Sequence, residues 1–105
     1  MATNRLEVLK NLVAQNPADA FARYGLAMEH VKSGDLEQAV AEFRTVLLNN
    51  PSYTYAYFHG GQTLEKLGRT EDAHQMYQEG IETASRIGDQ KALSELQAAM
   101  DMLPL

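Results

Sequence analysis

Apolar residues recur along this chain at three- and four-residue spacings, the pattern of helices that each bury one face. Leu6, Leu9, Leu12 and Val13 form a first stripe, which Asn16-Pro17 ends, because the residue before a proline is pushed out of helical backbone. A second stripe, Phe21, Tyr24, Leu26, Ala27, His30 and Val31, runs toward Ser33-Gly34, where glycine suits the left-handed turn that often closes a helix. Asp35 is placed to cap a third helix, with Gln38 three residues on at capping-box spacing. That helix carries Leu36, Ala39, Val40, Phe43, Val46 and Leu47 and stops at Asn50-Pro51. The order then recurs: a helix over Ser52 to Lys66, an end at Leu67-Gly68, and Thr70 as the next cap. A fifth helix is expected from about Glu71 to Ile87, closed by Gly88. Asp89 caps a sixth through Ala92, Leu93, Leu96, Ala99, Met100 and Leu103, before Pro104. No strand pattern interrupts the series.

The recurrence has a fixed period. Pro17 and Pro51 are 34 residues apart, and the same offset relates Gly34 to Gly68, Ala39 to Ala73, Phe43 to Tyr77 and Tyr24 to Phe58. Ala22 pairs with Ala56, Lys32 with Lys66, and Glu37 with Glu71. A helix pair of that length is too thin to bury its own apolar face, so successive pairs must stack into a continuous core. Ala39 and Ala73 then mark where paired helices approach closely, while Phe43 and Tyr77 fill the space between units.

A 34-residue helix–turn–helix unit resembles the tetratricopeptide repeat, whose signature places W-x2-L-G-x2-Y before A-x3-F and a closing proline. The first full unit has Arg23, Leu26, Ala27, His30, Ala39, Phe43 and Pro51 in those slots; the second has Tyr57, Gly60, Gly61, Leu64, Ala73, Tyr77 and Ser85. Arg23 and His30 depart from the motif, and Ser85 replaces the closing proline, so the fifth helix runs on. The resemblance implies an all-α solenoid of six antiparallel helices: two full repeats with a half-unit at each end. Residues 1–105 then form one domain: an opening helix over about 3–16, full repeats over 18–51 and 52–87, and a capping helix over 89–103.

Fourteen acidic against nine basic side chains leave a net charge of −5, with no basic block to attract a phosphate backbone or anionic lipid. Nucleic acid and membrane are therefore not expected partners. No apolar run approaches the roughly 20 residues that span a bilayer. The polar start, Met1 to Glu7, lacks the apolar stretch of a signal peptide, and a cytoplasmic protein is expected. The absence of cysteine excludes disulfides and thiolate sites. His30, His59 and His74 fall on three different helices, with no metal-ligand spacing and no phosphate-loop or nucleophile motif. Neither an enzyme nor a bound cofactor or metal is expected. Gly60-Gly61, inside a helix, reads as a site of close helix packing, and His30 as a core or groove residue.

Aromatic residues crowd two equivalent stretches: Phe21 and Tyr24, then Tyr53, Tyr55, Tyr57 and Phe58. Helices that are apolar on both sides are either central or carry an interaction face. In the family resembled, the first helix of each repeat lines a concave groove that receives a peptide. Carried over by register, the groove slots are Phe21, Tyr24, Met28, Lys32, Tyr55, Phe58, His59, Gln62 and Lys66. Packing remains the other reading of Tyr24 and Phe58. Tyr24, Met28, His59 and Gln62 stand where the family's chaperone-tail binders have a Lys, Asn and Arg clamp, which points to apolar rather than carboxylate-led recognition. The function expected is a non-catalytic scaffold for a partner peptide or helix. The alternative is weak self-association, with a sister subunit filling the groove or covering a terminal helix.

Overall fold

Asn4 opens the first helix by accepting the Leu6 N–H at 2.8 Å. The computed structural model describes residues 4–104, so Thr3, the expected start of that helix, lies outside the described residues. The described chain forms α1 (Arg5–Gln15), α2 (Ala20–Lys32), α3 (Leu36–Asn49), α4 (Thr54–Lys66), α5 (Thr70–Ile87) and α6 (Gln90–Asp101). There is no strand among the described residues. Each helix packs chiefly on its chain neighbours, with α4 also meeting α2 and α6, in a stack 45 Å long and 20 Å thin.

The glycine turns repeat closely. Gly34 and Gly68 adopt φ of 80° and 76°, left-handed backbone that a side chain would strain. The following N–H groups, of Asp35 and Arg69, each reach back to a carbonyl near the helix end, His30 and Leu64, at 2.9 Å. Gly88 closes α5 in the same way, with Asp89 bonded to the Ala84 carbonyl. Ser85 sits in the closing-proline slot, and without a proline ring α5 continues through it to Ile87.

Two expected caps are corrected. Asp35 flanks α3 but makes no side-chain capping bond; its carboxylate turns instead toward His30 Nδ1, 3.7 Å away. Thr70 is the first residue of α5, and Arg69 holds the cap position without a side-chain bond. Asp19 and Asp89 do cap, accepting the N–H of Ala22 and Ala92 at 3.1 Å.

The core follows the stack. Leu9, Val13, Ala22 and Leu26 join α1 to α2. Ala27, Ala39, Phe43, Val46 and Ala56 join α2, α3 and α4. Tyr57, Leu64, Ala73, Tyr77, Ala84 and Leu96 join α4, α5 and α6. Ala39, Ala73, Phe43 and Tyr77 are completely buried, as the period requires. Gly60 and Gly61 bring α4 against its neighbours: a Cβ on Gly61 would collide with the Tyr77 ring, and one on Gly60 would lie 3.3 Å from Met76 Cε. Burial and a hydrogen bond to Glu65 raise the Tyr77 hydroxyl far above its usual range, so it stays protonated and donates to that carboxylate.

The slot where Arg23 departs from the motif keeps its function by another chemistry. Tyr57 donates its hydroxyl hydrogen to the Pro51 carbonyl at 2.9 Å, and Arg23, 34 residues earlier, donates Nη2 to the Pro17 carbonyl at 3.1 Å. Arg23 Nη1 also meets Glu42 at 2.6 Å, pinning α2 to α3 with both side chains largely removed from solvent. His30, the other departure, is buried in the core.

Candidate functional site

α2, α4 and α6 stand side by side, and the residues expected to bind lie along α2 and α4. Across the seam between those two helices the aromatic rings pack on one another. Tyr24 lies 4.9 Å from Tyr53 and 5.9 Å from His59, centroid to centroid. His59 also meets Phe58 at 5.2 Å and Tyr55 at 6.5 Å, with Phe43 beneath it. Ring pairs at such distances attract beyond the area they bury. The seam is thus a filled aromatic ridge, with Tyr24, Tyr55, Phe58 and His59 half-buried in it.

The nine residues expected to line the groove are all exposed or half-buried, and the ridge runs along the middle of their face. The open space lies on either flank of the ridge. On the α1 side a hollow of about 440 Å³ is bounded by Leu9, Phe21, Tyr24, Gly25, Met28 and Val31, with Lys32 and the Arg5–Glu29 ion pair at its rim. On the α6 side a shallower hollow of about 390 Å³ lies between Phe58 and Gln62 of α4 and Glu95, Ala98 and Met102 of α6. Phe21 and Met102 are the exposed apolar residues of the two flanks, at 78% and 83% of full accessibility. Lys66 lines neither hollow and projects from the last turn of α4. Beyond the residues expected to bind, Arg5, Leu9, Gly25, Glu29 and Val31 line the first hollow and Glu95, Ala98, Ala99 and Met102 the second.

Burial sets the electrostatics of the ridge. It raises the Tyr24 hydroxyl to about 12, helped by the neighbouring Tyr53 and Tyr55, so Tyr24 presents a neutral hydroxyl at any physiological pH. Tyr53 is raised too, by burial and then by Asp19. His59 is lowered, first by burial; Lys66 acts in the same direction, while Gln62 and Glu95 oppose it. The imidazole is therefore neutral near pH 7, and the ridge is an uncharged aromatic surface. Lys32 and Lys66 form no ion pair among the described residues. No group of three or more His, Asp or Glu side chains able to hold a metal ion occurs among the described residues. Nor is any described helix long and apolar enough to cross a membrane.

Comparison with known proteins places this architecture. The family model for the tetratricopeptide repeat matches residues 22–53. A tetratricopeptide repeat domain protein of Salinibacter ruber, solved in solution, is 45% identical, with a TM-score of 0.76 over 81% of this chain and 86% of that one. The chain belongs to the tetratricopeptide repeat family. A TPR repeat-containing protein of Pseudomonas aeruginosa is 26% identical over 91 residues, 87% of each chain. PcrH, solved in complex with the chaperone binding region of PopD, shares the fold at a TM-score of 0.86 and 18% identity, over 91% of this chain and 73% of its own. In tetratricopeptide terms α2–α3 and α4–α5 are full repeats, α1 is the second half of one, and α6 the first half of another.

Proposed function

We propose that this protein is a non-catalytic binding module of the cytoplasm, which holds a peptide or helix of a partner protein across the faces of α2, α4 and α6. The observation that carries this reading is the half-exposed, uncharged aromatic ridge flanked by two apolar hollows. Aromatic side chains bury large area at little entropic cost and methionine adapts its shape to what it meets, which suits both to such a surface. Lys32 and Lys66, which form no ion pair among the described residues, favour a ligand that carries an acidic group. PcrH, on the same fold, holds a segment of PopD, which supports a peptide as the class of ligand.

The test pairs binding with stability on the same variants. Proteins captured from a lysate by the full chain are identified, and the affinity of the captured partner is measured for Tyr55→Ala and Met28→Ala. Each should weaken binding by roughly tenfold, about 1.4 kcal/mol, while melting stays near the wild-type temperature. Undiminished binding by both variants would end the reading. So would loss of binding that merely follows loss of stability, the roughly 2–5 kcal/mol of a truncated core side chain.

A further inference from the structure

Gly25 and His59 occupy the same place in successive repeats, 34 residues apart. In the second repeat the His59 imidazole fills the space between α4 and the preceding units, resting on Tyr24 and over Phe43. In the first repeat the same space has no side chain from Gly25, and Leu9 takes the place of Phe43. What remains is the hollow of about 440 Å³.

The residues at both ends of the stack disfavour another repeat as the occupant. Where α3 has Ala39, at the closest approach to α2, α1 has Arg5, which reaches Glu29 of α2 at 2.7 Å and closes that end. Aligned on its cap, α6 likewise places exposed Gln97 where α4 has Gly61. Both terminal half-units thus put a long polar residue where a stacking helix needs a small one, which disfavours a second copy docking end to end. The rim is polarised as well: Phe21 stands at one end of the hollow, and at the other Arg5 is neutralised by Glu29, which leaves Lys32 as the cation without an ion pair among the described residues. Gly25 and Lys32 are seven helical residues apart, about 10 Å along the axis. An extended peptide covers about 10 Å in three residues.

We propose that the hollow at Gly25 is a specificity pocket for one large apolar side chain, aromatic or long aliphatic, on a partner peptide that carries an acidic residue about three positions away to meet Lys32. The proposal rests on the binding function above and specifies its ligand. The glycine is the determinant, because the second repeat shows what the same site becomes when the position bears a ring.

The test uses the full chain, isotope-labelled, titrated with a capped tetrapeptide that has phenylalanine first and glutamate fourth. Saturable shifts are expected at Leu9, Gly25 and Met28. Alanine in place of the phenylalanine should abolish them, and glutamine in place of the glutamate should weaken binding severalfold. Gly25→His should lower the affinity at least tenfold; the new Cβ would lie 3.2 Å from Leu9 Cδ2, a side-chain end that can shift, so the melting temperature should stay near the wild-type value. Lys32→Glu, at an exposed site, should weaken the glutamate peptide and leave the glutamine peptide unchanged. Equal binding by Gly25→His, indifference of both peptides to Lys32→Glu, or shifts confined to Phe58 and Met102 would overturn the proposal. So would a concentration-dependent dimer that protects the Gly25 face. The two readings fail separately. A captured partner that ignores Gly25→His but is lost on Tyr55→Ala leaves the binding surface standing without this pocket. A partner indifferent to Tyr55→Ala and Met28→Ala removes the surface itself.

Discussion

The two adjacent glycines of α4 should respond in opposite directions to the same added methyl group. Alanine inside a helix gains about 1 kcal/mol over glycine. At Gly60 the new Cβ would sit 3.3 Å from Met76 Cε, the free end of a flexible side chain that can swing aside. Most of the helical gain should survive, so Gly60→Ala should be neutral to about 1 kcal/mol more stable. At Gly61 the new Cβ would overlap the ring of Tyr77, which is completely buried and tied through its hydroxyl to Glu65. A rigid ring with a fixed far end has no direction in which to yield. Overpacking costs roughly 1–3 kcal/mol and loss of a hydrogen bond to a charged group about 1.5–3, against the 1 gained. Gly61→Ala should therefore lose about 2 kcal/mol or more, equivalent to roughly 8–16 °C of melting temperature in a domain of this size. Urea unfolding of both variants, with the slope held to the wild-type value, measures the difference directly. Equal midpoints for the two variants would refute the close approach of α4 and α5 at Gly61.

Ala39→Leu should overpack the α2–α3 contact, where Ala39 is completely buried, and cost roughly 1–3 kcal/mol by the same urea assay. His59, lowered chiefly by burial, gives stability a definite slope with pH. Above its unfolded pKa, about 6.5, neither state binds the proton and stability is level. Below that value the unfolded chain takes the proton first, so stability should fall as pH drops toward the folded pKa. His59→Gln should flatten that decline, measured as melting temperature across pH 5 to 8.

The helices and their stacking were legible because the period is marked by chemically exacting positions. Only glycine holds the turns at Gly34 and Gly68 comfortably, and only a small residue fits at Ala39 and Ala73. The caps were less legible: an aspartate or threonine near a helix start has several partners, and Asp35 turned toward His30 instead of its own helix. Residues on α2 and α4 with exposed or half-buried side chains could be read from the repeat register, since that register decides which face of each helix is outward. The hollows could not be read so directly. Their outer walls come from α1 and α6, where the repeat is incomplete, and the bare backbone of Gly25 forms part of the larger hollow. Comparing Gly25 with His59 across the 34-residue offset was the one available signal, and it asks what is missing rather than what is present.

α1 is held differently from every other helix. It packs against α2 alone, buries only Leu9 and Val13, and adds the Arg5–Glu29 ion pair. A helix with a single neighbour opens without disturbing the rest, and its amides should exchange with solvent before those of α4 and α5. Leu9 is a wall of the Gly25 hollow, so each such opening dismantles the hollow. A ligand seated there would slow amide exchange throughout α1, by a factor set by its concentration relative to its dissociation constant. Occupancy at one end of the chain would thus be recorded as protection along eleven residues, most of which never touch the ligand.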